Sequence, residues 1–152
     1  MFKTGRVRRD QTAGMATVQR EIRIDAPPAR VWALVSDFHR APGRMAPGFV
    51  VDCVPDGPDV RVVTFSTGVV VRERFVGCDE ECRRTVFSIL EGSVVPVHDS
   101  SSMQVFDDGA GGSRFVWIHD VLPDDLAPRL AAAMEQGLSL LRGVAEQDVA
   151  GD

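Results

Sequence analysis

Hydrophobic and polar positions alternate from Thr17 to Asp25, with Val18, Ile22 and Ile24 on one side and Gln19, Glu21 and Arg23 on the other. A period of two predicts a strand with one face buried and one wet. Asp25-Ala26-Pro27-Pro28 follows. Proline suits the first turn of a helix, Asp25 is placed to cap it, and Val31, Trp32, Leu34 and Val35 supply its apolar side. A second short helical stretch is expected from Asp37 towards Arg44, broken by Pro47-Gly48. Six strand-like runs come next, at 49–54, 60–65, 69–76, 83–90, 97–106 and 113–122. Turn residues such as Ser66-Thr67-Gly68 and the loose stretch 107–112 separate them. From Pro123 the period changes. Leu126, Leu130, Ala133, Met134, Gly137, Leu138, Leu141 and Ala145 recur at steps of three and four, one apolar stripe of a helix with Asp124 and Asp125 at its positive end.

The order is strand, two short helices, six strands, long helix. Seven antiparallel strands need a cover for one face, and the last helix is the only large amphipathic element available. The expected fold is therefore α+β, a curved seven-stranded antiparallel sheet around a long C-terminal helix. A sheet bent round a helix leaves room between the two, which is where a ligand site is expected.

A length of 152 residues, 44% hydrophobic and 26% charged, describes one globular domain. Its expected span is 16–147, after a flexible leader over 1–15 and before a disordered tail over 148–152. The net charge of −5 makes no electrostatic case for nucleic acid or an anionic membrane. No run approaches the length of a membrane span. Three cysteines, Cys53, Cys78 and Cys82, form no even framework, which points to a reducing cytoplasm. Cys78 and Cys82 lack two further ligands at zinc spacing, so neither a metal nor a cofactor is expected.

The segments IDAPPARVWALVSDF, VVVRERFVGCDEE, RRTVFSILEGSVVPV and GGSRFVWIHDV resemble, in this order, the polyketide-cyclase-like branch of the START/birch-pollen-allergen (SRPBCC) superfamily. The likeness covers roughly residues 16–145. It implies a helix-grip fold and a hydrophobic ligand cavity, and it implies no single activity.

Alternation assigns faces strand by strand. Arg72 and Arg74 belong in water, so Val71, Glu73 and Phe75 point inward. A buried carboxylate is costly unless partnered, which makes Glu73 the most informative residue. The alternative is a solvated Glu73 at the mouth, paired with an arginine. Glu73 also stands where the strand resembles that of the plant abscisic-acid receptors, whose glutamate lies in the hormone pocket. Thr85, Phe87 and Ile89 are expected inward on the next strand. On 97–106 the set His98, Ser100, Ser102, Gln104 and Phe106 is taken as inward, because relatives carry a tyrosine at the position of Ser100; Met103 and Val105 leave the opposite face, Asp99, Ser101, Met103 and Val105, as the alternative. On 113–122 bulk favours Phe115, Trp117, His119 and Val121 inward, with the Trp117 N–H seeking a ligand oxygen or Glu73. Leu130, Met134, Leu138 and Leu141 are expected from the helix as lid or floor, with Met134 and Leu138 lining the cavity. Arg20 is the only inward arginine foreseen, and Trp32 is read as helix-to-sheet packing.

The leading functional expectation is binding or carriage of a small apolar or aromatic molecule by a monomer or homodimer. The alternative is an aromatase/cyclase or dehydratase acting on a polyketide-like substrate, with Glu73 and His119 or His98 as catalytic base and acid. The absence of tyrosine weakens it, since the cyclases of this fold use tyrosine and arginine. A third class, a regulatory protein gated by a long loop, is opposed by the short turn at Ser66-Thr67-Gly68.

Overall fold

Strand β1 (Ala16–Ile24) buries Val18 and Ile24 and exposes Gln19, Glu21 and Arg23, as its alternation requires. The structure, a computed structural model, describes residues 16–150. The expected leader (1–15) and the end of the expected tail (151–152) lie outside the described residues. After β1 come α1 (Pro28–Val35), α2 (Ala41–Met45), β2 (Val50–Pro55), β3 (Val60–Phe65), β4 (Val70–Asp79), β5 (Arg84–Gly92), β6 (His98–Asp107) and β7 (Ser113–Leu122). A single 3-10 turn (Asp124–Leu126) leads into α3 (Ala127–Ala150), which reaches past the Gln147 boundary expected for the domain.

Pro28 opens α1, but Asp25 does not cap it. The N-cap is Pro27, and the Asp25 N–H donates instead to Glu146 Oε2 of α3 at 2.8 Å. Trp32 packs in the core and donates from Nε1 to Glu80 Oε1 at 2.7 Å, which ties α1 to the β4–β5 turn.

All seven strands form one antiparallel sheet in the order β1-β7-β6-β5-β4-β3-β2, so the first strand pairs with the last. Register shifts between β4 and β5, at Arg72/Glu73 and at Phe75/Gly77, bend the sheet. Gly92 closes the first of these bends at φ +131°, where a Cβ would lie 2.2 Å from the Val70 carbonyl oxygen. Only glycine fits. The result is the helix-grip arrangement.

Helix α3 packs chiefly against β1, with α2 its next neighbour. Leu138, Leu141 and Ala145 join Ile24, Val31, Trp32 and Phe115 in the main core. Val63, Val71 and Ile89 form a second, smaller cluster under β3–β5. Val50 and Phe65 touch both clusters. Because the helix leans on the β1 side, a gap opens over β3, β4 and β5.

Candidate functional site

The gap is a cavity of about 400 Å³, within the range of small-molecule sites. Its walls are mostly apolar: Val63 and Phe65 from β3, Val71 from β4, Phe87 and Ile89 from β5, Met103 from β6, Trp117 from β7, and Leu130, Ala133 and Met134 from α3. Thr67, Arg129, Ala132 and Gln136 line it and are exposed, so its mouth lies between the β3–β4 turn and the first half of α3.

Three polar side chains are buried in the wall: Arg61, Glu73 and His119. Arg61 donates from Nε to Glu73 Oε1 at 2.7 Å and from Nη1 to the Phe38 carbonyl. Its guanidinium carbon lies 4.2 Å from the Phe38 ring centroid and 4.6 Å from that of Phe87. The pair is 5% and 10% exposed at its side chains, so neither charge can be left to solvent. Glu73 is thus inward and buried, yet partnered by an arginine; each sequence reading of it held one half of the arrangement.

His119 is buried and contacts the Asp99 carboxylate through Nε2. Asp99 in turn accepts the Ile89 N–H on Oδ2 at 2.7 Å. Glu73 pairs with Ile89 across the sheet. The Arg61–Glu73 pair and the Asp99–His119 pair therefore lie on opposite sides of β5. His119 Nδ1 is buried and has no hydrogen-bond partner among the described residues. Trp117 lines the cavity and donates from Nε1 to Ser101 Oγ at 2.8 Å, not to Glu73.

Of the sequence-predicted site residues, Val71, Glu73, Phe87, Ile89, Trp117, His119 and Met134 line this space. The others do not. Strand β6 shows the opposite face to the one expected: Asp99, Ser101, Met103 and Val105 point inward, and Ser100, Ser102, Gln104 and Phe106 lie on the far side. Residues directly opposite one another share a face. Met103, Ser101 and Val105 stand opposite Trp117, His119 and Phe115, so the face of β7 dictates that of β6. His98 is exposed at the start of β6. Phe75 is on the inward face but stacks edge-on against Phe38 at 5.4 Å, outside the cavity. Leu138 is consumed by the main core.

Arg20 reaches away from the cavity to Glu135 at 2.8 Å, and the inward arginine is Arg61. Arg61, Val63 and Phe65 of β3 line the cavity without a face having been assigned to them from sequence, and Asp99, Ser101 and Met103 stand on the β6 face held as the alternative. Cys53 donates its S–H to the His39 carbonyl at 3.3 Å, and burial pushes its thiol up against the opposing pull of Arg61. A raised thiol is a poor nucleophile. Among the described residues, no three His, Cys, Asp or Glu side chains group as a metal site would.

Residues 15–146 match the family described as polyketide cyclase / dehydrase and lipid transport. The chain belongs to this family. Membership points to ligand binding or a polyketide-related role. Among solved structures, the chain is similar to an uncharacterised protein from Bacillus thuringiensis, with TM-score 0.73 and 21% identity over 84% of this chain and 97% of that one. It is also similar to the protein XoxI from Bacillus cereus, with TM-score 0.70 and 20% identity over 88% and 94%. At these identities the likeness speaks for the fold alone. No curated protein matches the sequence. Among the described residues, no helix is long and apolar enough to cross a membrane.

Proposed function

We propose that the chain binds and carries a small, mostly apolar molecule between the sheet and α3. The observation that carries this reading is the cavity of about 400 Å³ with its apolar walls and few polar groups. Arg61 and Glu73 neutralise each other, so the inner wall offers an ionised cargo no unpaired counter-charge. An uncharged cargo with one polar handle suits it best. The same reading takes the protein to work in the cytoplasm, on the strength of three free cysteines, as a monomer or homodimer.

Native mass spectrometry of protein purified from its own host tests the reading, with a co-purifying small molecule expected. An apolar dye should also quench tryptophan emission, and Trp117→Phe should remove most of that response. Trp32, tied to Glu80 beneath α1, should not respond. Protein that carries nothing and takes up no dye would overturn the proposal.

A second reading, a cyclase or dehydratase, is favoured by the Asp99–His119 contact, a carboxylate-oriented imidazole at the cavity wall. Under it the bound molecule is altered on incubation, and His119→Gln costs about 100-fold or more in rate, as loss of a general base does. A cargo returned unchanged leaves the carrier reading alone.

A further inference from the structure

We propose that Trp117, standing on Gly137, is the end wall of the cavity and sets how long a cargo it admits. This rests on the carrier reading above and names an apolar chain of limited length as the class of molecule for that same site. The indole Nε1 donates to Ser101 Oγ of β6 at 2.8 Å. Cζ3, at the opposite end of the ring system, lies 3.3 Å from where a Cβ on Gly137 would stand, in the interior of α3. The ring therefore spans the gap from sheet to helix. A hydrogen bond holds one end and a close contact holds the other.

Glycine inside a helix costs stability relative to alanine, and the close approach of a neighbour is one thing that offsets it. Here the neighbour is the indole. Outside its own helix, a Cβ at position 137 would meet only Trp117 within 4 Å among the described residues. On one side the ring packs against the main core, and on the other it lines the cavity. The mouth lies at Thr67, in the β3–β4 turn, while Trp117 is carried by β7, with β4, β5 and β6 between. A chain that enters past Thr67 runs across the sheet beneath Leu130 and Met134 and ends against the indole.

Calorimetric titration with the straight-chain 1-alkanols from butanol to decanol reads that limit, the hydroxyl staying at the wet mouth. Each methylene that finds apolar wall should raise affinity about fourfold. In the parent the gain should stop once the chain reaches the ring. In Trp117→Leu it should continue for about two to four more carbons, so that the longest alcohols bind roughly tenfold or more tightly than to the parent. Met134→Ala thins the helix side of the wall and leaves its end in place, so its gain should stop at the parent length.

A parent gain that runs unbroken through the series overturns the inference. So does Trp117→Leu stopping at the parent length, or Met134→Ala extending as far as Trp117→Leu; each leaves the carrier reading intact. No binding of any alcohol to the parent removes both. Should Trp117→Leu fail to fold, the parent decides with alkanols that carry a terminal bromine, which quenches an indole only on contact. Quenching should be strongest at the length where affinity stops rising, and quenching that does not depend on length overturns the inference.

Discussion

The Arg61 guanidinium is gripped by a carboxylate, a backbone carbonyl and two aromatic rings, all out of water. Removing one partner of such a pair strands the other as an uncompensated buried charge. Arg61→Met should therefore cost about 3–5 kcal/mol in urea unfolding. Glu73→Gln should also destabilise, because Arg61 loses its counter-charge. The double variant Arg61→Met/Glu73→Leu, which removes both charges, should come back to within about 1–2 kcal/mol of the parent. A double loss equal to the sum of Arg61→Met and Glu73→Leu would mean the two groups are not coupled. Glu73 was legible because Val71 and Phe75 flank it in an alternating run. Arg61 stands in the same alternation with Val63 and Phe65, but a lone arginine reads as solvated unless its partner is known. That partner lies across the sheet, and register is not written in either strand. Asp99 was hidden for a similar reason: in His98-Asp99-Ser100-Ser101-Ser102 both faces are polar, and only Trp117 and Phe115 on the neighbouring strand decide between them.

The β6–β7 turn shows how one side chain organises an element. Asp108 accepts the N–H groups of Ala110 at 2.8 Å and Gly112 at 2.9 Å, and meets Arg23 Nε at 2.8 Å. The Ala110 N–H contributes most to holding the Asp108 carboxyl below its ordinary value; burial opposes it, and Gly112 and Arg23 restore the lowering. A depressed folded value means the carboxylate stabilises the fold above the ordinary aspartate value of about 3.9. That contribution fades as pH falls through the lower folded value. Asp108→Asn should therefore flatten the dependence of unfolding free energy on pH between about 5 and 2, read by denaturant titration at several pH values. An unchanged slope would remove Asp108 from the acid response. Elements themselves were read well from periodicity. β6 is displaced by a single residue, and α3 begins after a 3-10 turn at Asp124–Leu126. The N-cap role of Asp25 failed because Glu146, distant in sequence, claims its backbone N–H.

At the scale of the whole molecule, the curved sheet and leaning helix leave a space that side chains do not fill, and this much followed from counting strands against helices. Val71→Phe places a ring in that space. It should hold or raise stability while abolishing uptake of an apolar dye, the opposite signs expected where a void serves binding. Loss of both together would mean that the strand, not the space, had been damaged. The two hydrophobic clusters share Val50 and Phe65, and both contribute residues to the cavity wall. An apolar cargo would join them, and its occupancy would add to the folding free energy by mass action. A free concentration a hundredfold above Kd contributes about 2.7 kcal/mol. For a chain of this size that raises the melting temperature by roughly 5–10 °C. Heat tolerance then becomes a gauge of the surrounding supply: protein taken from its host should melt several degrees above the same protein refolded from denaturant, and should return to the higher value when the extracted molecule is added back.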